Sequence, residues 1–530
     1  MNSFKSFDRR SFLKGSGGFL TLGFVLPEMA WAAGDKTKLP GNLEAHPMLN
    51  AWITVNADGT VELRIGKVEL GQGSVTAVSQ VAADELVIGW DRLRTISGDT
   101  EICPDEGTTA GSMTMPTCAT AVQQAAAEVR QILLGLAATK LGVAADGLSV
   151  EDGTITAPGG GTATYWDLVD GLDLAVEATG TAPQLPIDQY KIIGTSVPRL
   201  DIPSKMTGKP IFVQEMHPEG EMFGAVARPP TYKATLKSVD LAPIEAMPGV
   251  KKVVRNGSFL GVIADRQDQA WAAAAALSKA AEWDVTSDLP GTEGIFDWLQ
   301  AAPSEEKEVL MVARADGATP AGKVEQTYYR PYQMHASIGT SAALAEMGSD
   351  GVMTVWTHSQ SVWATAAAIE QLLGLEAGKV HAIHTQGSGC YGHNMADDAA
   401  ADAALLAAAM PGTPVKLQYT RADEHRWEPY GSAMVNKVSA NVDAAGNVLD
   451  WEMHIWSTPH GTRPGGKAGN LLSGRYVDPA FEMPVPKDGG PPNYAAARNG
   501  IALYEFPGQR VVTHFVTEMP LRVSSTRGLG

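Results

Sequence analysis

Three short glycine-bearing segments carry the residue types best suited to gripping a small ligand. The first is Val68-Glu69-Leu70-Gly71-Gln72-Gly73, placed directly before a run with helical spacing. Gly71 and Gly73 let backbone approach a ligand, and the following helix start offers unpaired N–H groups to an anion. Gln72, between them, has an amide that both donates and accepts, suited to an oxo or pterin group. The same pattern also serves as a plain turn before a helix. The second segment, Gly107 to Thr114, is small and hydroxyl-rich. Ser112, Met113 and Thr114 are its candidate ligand contacts, and Ser112 or Thr114 could equally be a helix N-cap. The third runs Gly387-Ser388-Gly389-Cys390-Tyr391-Gly392-His393-Asn394. Cys390 there is either a nucleophile or ligand, or a small residue packed against a bound group. No base stands near it in sequence, which favours the second reading.

These loops need a frame, and the chain supplies alternating elements. Ala51–Val55 and Val61–Ile65 flank Asn56-Ala57-Asp58-Gly59, the pattern of a hairpin. Val75–Leu86 and Ala119–Leu141 have helical periodicity. Further on, strands are expected near 225–228, 236–239, 250–254, 259–264, 352–357, 379–385 and 415–419. Helices are expected near 268–281, 362–373 and 396–409. This reads as a mixed α+β, multi-domain chain. The expected divisions are 1–32, 33–190, 191–290, a polar linker at 291–322, and 323–530.

Composition narrows the function. The chain has 530 residues and a formal charge of −18, with no Lys/Arg stripe, which argues against nucleic-acid binding. Its three cysteines, Cys103, Cys118 and Cys390, are widely spaced. They exclude an iron–sulfur cluster or structural zinc built from this chain's thiolates alone and allow at most one disulfide. No G-x-G-x-x-G opens a helix after a strand, so a nicotinamide or flavin site is not supported. At the N-terminus, Asp8-Arg9-Arg10-Ser11-Phe12-Leu13-Lys14, a mild apolar run and Ala30-Trp31-Ala32 read as a signal peptide over 1–32. It is close to the twin-arginine type, and periplasmic export is expected.

Taken together and in order, the motifs resemble the molybdenum-cofactor-binding large subunits of the xanthine oxidase family. The segment Glu69-Leu70-Gly71-Gln72-Gly73 is similar to that family's E-M-G-Q-G loop, and Thr109–Thr114 to its next pterin-contacting loop. Thr207-Gly208-Lys209-Pro210 through Arg228-Pro229-Pro230 to Met247-Pro248-Gly249 resembles its a/b-hammerhead domain, assigned to 191–290. His358-Ser359-Gln360 resembles an element whose glutamine faces the molybdenum. Gly389-Cys390-Tyr391-Gly392 stands where G-G-F-G is usual, and Ser524–Gly530 resembles an arginine loop that places Arg527 at the metal. The first loop precedes the hammerhead here. That order, with Trp427-Glu428-Pro429-Tyr430-Gly431, is similar to the isoquinoline 1-oxidoreductase and nicotinate dehydrogenase branch.

The resemblance implies a molybdenum–pterin cofactor, in the cytosine dinucleotide form usual in bacteria. It would be held by pterin dithiolene rather than by side chains, at Gly71, Gln72, Gly73, Ser112, Met113, Thr114, Gln360, Gly389, Cys390, Tyr391, Gly392 and Arg527. It implies hydroxylation of an N-heterocycle or oxidation of an aldehyde with water as oxygen source. It also implies a small [2Fe–2S] partner subunit and, for a periplasmic protein, a cytochrome c acceptor. The family's general-base glutamate belongs to a G-x-G-E loop beyond the arginine loop, and Glu428, Glu505 and Glu518 sit in no such loop. The base is therefore expected on further polypeptide, in the same chain or a separate one. The competing expectation is an exported scaffold that keeps the fold without the cofactor.

Overall fold

The hairpin forms where the alternation places it. Ile53–Val55 pairs antiparallel with Val61–Ile65, and Leu93–Ser97 adds in parallel to complete a three-stranded sheet. Helices Ser74–Leu86 and Thr120–Leu141 pack against this sheet and against each other. Trp52, Leu63, Val78, Leu86, Val122, Leu133 and Tyr165 fill the core between them. The computed structural model describes residues 38–287, 289–315, 317–461, 465–489 and 496–529. The expected signal peptide lies outside these residues.

A seven-stranded sheet forms the centre. Its order is Val380–His384, Met353–Thr357, Ala342–Met347, Val415–Gln418, Met222–Ala227, Phe259–Ala264 and Val250–Asn256. Helix Val362–Leu373 makes the crossover between the parallel pair Met353–Thr357 and Val380–His384. Helix Ala396–Ala408 is buried almost along its whole length. Its alanines allow close approach to strand Ala342–Met347, and the aspartates Asp397, Asp398 and Asp402 are buried with it. Strands from 191–290 and from 323–530 thus share one sheet, and Lys38–Gly530 form a single compact unit.

The segment 291–322, expected as a linker, is instead structured. Ile295–Ala301 is helical, and Ser304–Val312 is a strand paired antiparallel with Gly508–Val516. It lies at the edge of a five-stranded sheet whose order continues Val448–Ser457, Met434–Val442 and Gly322–Arg330. Ser304–Val312 is mostly exposed, so it carries none of the apolar alternation that marks a half-buried strand. The three cysteines are buried and form no disulfide with one another. Among the described residues no helix is long and apolar enough to cross a membrane.

Candidate functional site

Hydrogen bonds tie the first two glycine segments to Gln360 and His384, and the third segment to the arginine loop. Gln360 follows strand Met353–Thr357 and precedes helix Val362–Leu373, in the loop at the end of the sheet. Its carbonyl accepts from Thr109 N–H and its side-chain amide donates to the Thr109 carbonyl, both at 2.9 Å. Thr109 Oγ1 in turn accepts from the Val68 N–H at 2.9 Å. The His384 ring stands between the carbonyls of Glu69 (2.9 Å) and Ser359 (3.1 Å). One residue from each loop therefore fixes the next.

On the other side, Gly392 forms a bridge with Thr526, and His393 N–H donates to the Ser525 carbonyl at 2.8 Å. Arg527 donates its backbone N–H to the Tyr391 carbonyl (2.8 Å) and its guanidinium to that of Cys390 (3.2 Å). Ser525 Oγ donates to the His460 carbonyl at 2.9 Å. These contacts leave a cavity of about 600 Å³ lined by Ala110, Gly111, Ser112, Met113, Gln360, Gly392, Ser525 and Thr526, with Arg498 and Arg527–Leu529 completing the wall. That size lies within the range of roughly 300–1,000 Å³ that accommodates cofactors.

Of the residues picked from sequence, Ser112, Met113, Gln360, Gly392 and Arg527 line this cavity. Cys390 and Tyr391 adjoin it through the carbonyls that hold Arg527. Thr114 begins a π turn, Thr114–Ala119, that leads into helix Thr120–Leu141. Neither Ser112 nor Thr114 caps that helix; Ser112 instead takes φ 58° in the loop. Gly389 has φ 119° and no place in the wall.

Gly71, Gln72 and Gly73 lie outside the lining as well. The Gln72 amide is spent inside its own loop: Oε1 accepts from Leu70 N–H (2.6 Å), and Nε2 donates to the Val68 carbonyl and Ser74 Oγ. The Glu69 carboxylate accepts the N–H groups of Gly71 and Gly73 at 2.8 Å each, so it takes the place a ligand anion would occupy at this helix start.

Behind the loops sits a layer of buried charge. Asp397 accepts from Thr365 Oγ1 at 2.8 Å and also bonds Ser359 Oγ and His393 Nε2. Burial alone would raise its pKa; His393 and the two hydroxyls overcome that and hold it below the usual carboxylate range. Asp398 takes two hydrogen bonds from Arg522, at 2.9 and 3.0 Å, and one from Leu472 N–H at 2.6 Å. His358 is pushed down to about 4 by burial, with nearby His384 adding to the shift, so it is neutral at pH 7.

The lining residues that sequence reasoning did not single out are Ala110, Gly111, Arg498, Ser525, Thr526, Gly528 and Leu529, all but Arg498 within the motif segments. Ser525 and Thr526 lie inside the arginine loop, where backbone contacts to His393 and Gly392 place them and small hydroxyl side chains leave no signature of their own. Arg498 is distant in sequence from every glycine loop and carries no local motif.

The cavity wall suits a pterin. Gln360 is 4% exposed and its Oε1 is buried without a hydrogen-bond partner, at the wall of a cavity that small residues and glycines share with Met113, Leu529 and two arginines. A heteroaromatic ligand rich in N–H groups fits such a wall.

Two family models described as molybdopterin cofactor-binding domains match residues 31–195 and 310–466. The B component of nicotinate dehydrogenase from Pseudomonas putida is 34% identical over 494 residues, covering 91% of this chain and 40% of that protein. The beta chain of isoquinoline 1-oxidoreductase from Brevundimonas diminuta is 25% identical, covering 82% of this chain and 62% of that protein. The chain thus spans roughly half the length of these relatives. Among solved structures, the aldehyde oxidoreductase of Desulfovibrio gigas aligns with a TM-score of 0.49 at 20% identity, over 69% of this chain and 43% of that one.

Proposed function

The chain belongs to the molybdopterin-cofactor-binding subunits of the xanthine oxidase family, and we propose that it holds a molybdenum–pterin cofactor in the cavity between residues 110–113, Gln360, Gly392 and 525–529. The observation that carries this reading is the convergence of four sequence-distant segments, 110–113, Gln360, Gly392 and 525–529, on one cavity, with Gln360 Oε1 left unpartnered there. When bound, the cofactor supplies the redox chemistry by which such subunits oxidise carbon with water as the oxygen source. The chain's own residues bind and orient it. Gln360 Oε1 would accept a hydrogen bond from it, residues 110–113 would help to hold it, and Arg527, held by the carbonyls of Tyr391 and Cys390, would contribute positive charge.

Among the described residues lining the cavity there is no carboxylate. We infer that the proton-accepting glutamate comes from additional polypeptide, in keeping with the greater length of the relatives. The substrate class proposed is an N-heterocycle, supported by the relatives' names, with an aldehyde as the second class. The cytosine dinucleotide form, a small [2Fe–2S] subunit and a cytochrome c acceptor are proposed on the family resemblance. The absence of C-x-x-C pairs supports the separate iron–sulfur carrier. Export to the periplasm is proposed on the Arg9-Arg10 signal pattern.

The test is to purify the protein with its partners from its native host. N-heterocycles and aldehydes are then screened with an artificial electron acceptor. Turnover of an N-heterocycle supports the reading. A protein with full molybdenum that oxidises neither class removes the substrate proposal, and one without molybdenum supports the scaffold alternative.

A further inference from the structure

A second cavity, of about 260 Å³, lies between the loop after strand Met222–Ala227 and residues 519–522. Lys233, Arg426, Arg475 and Arg522 all line it, and none of the described lining residues is an aspartate or glutamate.

The four cations are not equivalent. Arg522 is neutralised by Asp398 on its far side. Arg475 has no ion pair among the described residues. Its Nε is buried without a hydrogen-bond partner, its Nη2 reaches only Met483 Sδ, and its guanidinium sits 5.8 Å from the Tyr232 ring. Burial, reinforced by nearby Arg522, brings its pKa down to about 10, so it stays charged at pH 7. A largely buried cation with no direct ion pair is costly even with Asp398 in the neighbourhood, and a bound anion lowers that cost. Arg426, exposed and in the cavity lining, forms no ion pair among the described residues. Tyr232 and Trp427, in edge-to-face contact, add an aromatic wall.

The geometry points to a binding site for one small oxyanion, a phosphate or an aromatic carboxylate, held by Arg475 and Arg426 in this cavity. It is separate from the proposed pterin cavity, with which it shares no lining residue. The volume falls just under the roughly 300 Å³ at which pockets for drug-sized ligands begin, which limits the ligand to a small one. The site stands on these contacts alone, independent of the molybdenum reading.

The experiment is isothermal titration of the full chain with inorganic phosphate and, separately, with benzoate, at fixed ionic strength set by chloride. Saturable one-to-one binding is expected, weakened about tenfold or more in both Arg475→Gln and Arg426→Gln, since each removes a charge-assisted hydrogen bond. Arg426 is exposed, so its variant keeps the test valid if Arg475→Gln does not fold. Lys140→Gln, on the exposed end of helix Thr120–Leu141, is expected to bind as the wild type does. Tighter binding of phosphate assigns a phosphoryl ligand, and tighter binding of benzoate a carboxylate. No saturable heat with either anion, unchanged affinity in both arginine variants, or equal weakening in Lys140→Gln would overturn the proposal.

Discussion

The glycines of the first and third loops look alike in sequence and do opposite things in the fold. At Gly71, with φ 101°, an added Cβ would meet nothing within 4 Å, and at Gly73 only the Arg199 side chain at 3.6 Å. At Gly392, with φ 132°, the same atom would lie 2.0 Å from the Ser525 carbonyl oxygen and 2.7 Å from Thr526 Cα. At Gly387 it would press on the His358 ring at 2.5 Å. The first loop therefore uses glycine for backbone direction beside open space. The third uses it so that two protein segments can touch. A glycine-rich stretch announces close approach, but not whether a ligand or another piece of chain does the approaching.

The sharpest way to break this comparison is Gly392→Ala. Backbone strain and overpacking together cost about 4 kcal/mol, a large share of the stability of an ordinary domain. Loss of soluble protein, or a urea midpoint shifted to match, is expected; wild-type stability would show that the 392–526 contact gives way freely. Asp398→Asn follows closely. It leaves the Arg522 guanidinium buried without its counter-charge, for a loss of about 3–5 kcal/mol read from the same urea melts.

Acid should weaken the packed side specifically. His358 and His460 titrate near 6.5 when unfolded, but burial holds them at about 4 and about 3 in the fold. Below pH 6.5 the unfolded chain takes up protons that the folded protein refuses. Stability from these groups is therefore complete above pH 6.5 and declines as pH falls toward 4. The loss at pH 5 is roughly 2 kcal/mol per histidine. Urea melts at pH 7 and pH 5 measure it, and His358→Gln should remove about half of the difference. The smallest effect is expected at Gly71→Ala, about 1–2 kcal/mol from strain at positive φ without a clash. A loss equal to that of Gly392→Ala would erase the distinction between the loops.

The elements framing the site were legible in sequence because their apolar residues recur at helix or strand spacing. Helix Val362–Leu373 falls where the pattern puts it, and Ala396–Ala408 within one residue. The five-stranded sheet was not legible. Its edge strands Ser304–Val312 and Gly322–Arg330 are exposed on both faces, so nothing in their pattern separates them from a polar linker. Gln360 and Arg527 were readable only through motif order, since a lone glutamine or arginine in a loop has no signature. The Asp398–Arg522 pair could not be read, because its partners are 124 residues apart and meet only through the fold. The cationic cavity was hidden for the same reason: Lys233, Arg426, Arg475 and Arg522 form no cluster along the chain.

The central claim is that the cavity walled by residues 110–113, Gln360, Gly392 and 525–529 holds the molybdenum–pterin group. The direct measurement is molybdenum per chain in wild type and in Ala110→Trp, both purified from the native host. Ala110 lines the cavity at an ordinary backbone conformation, so an indole there fills space without disturbing the charge layer behind it. About one molybdenum per wild-type chain, at least tenfold less in the variant and matching melting temperatures are expected. Equal molybdenum in both, or none in the wild type, would contradict the account.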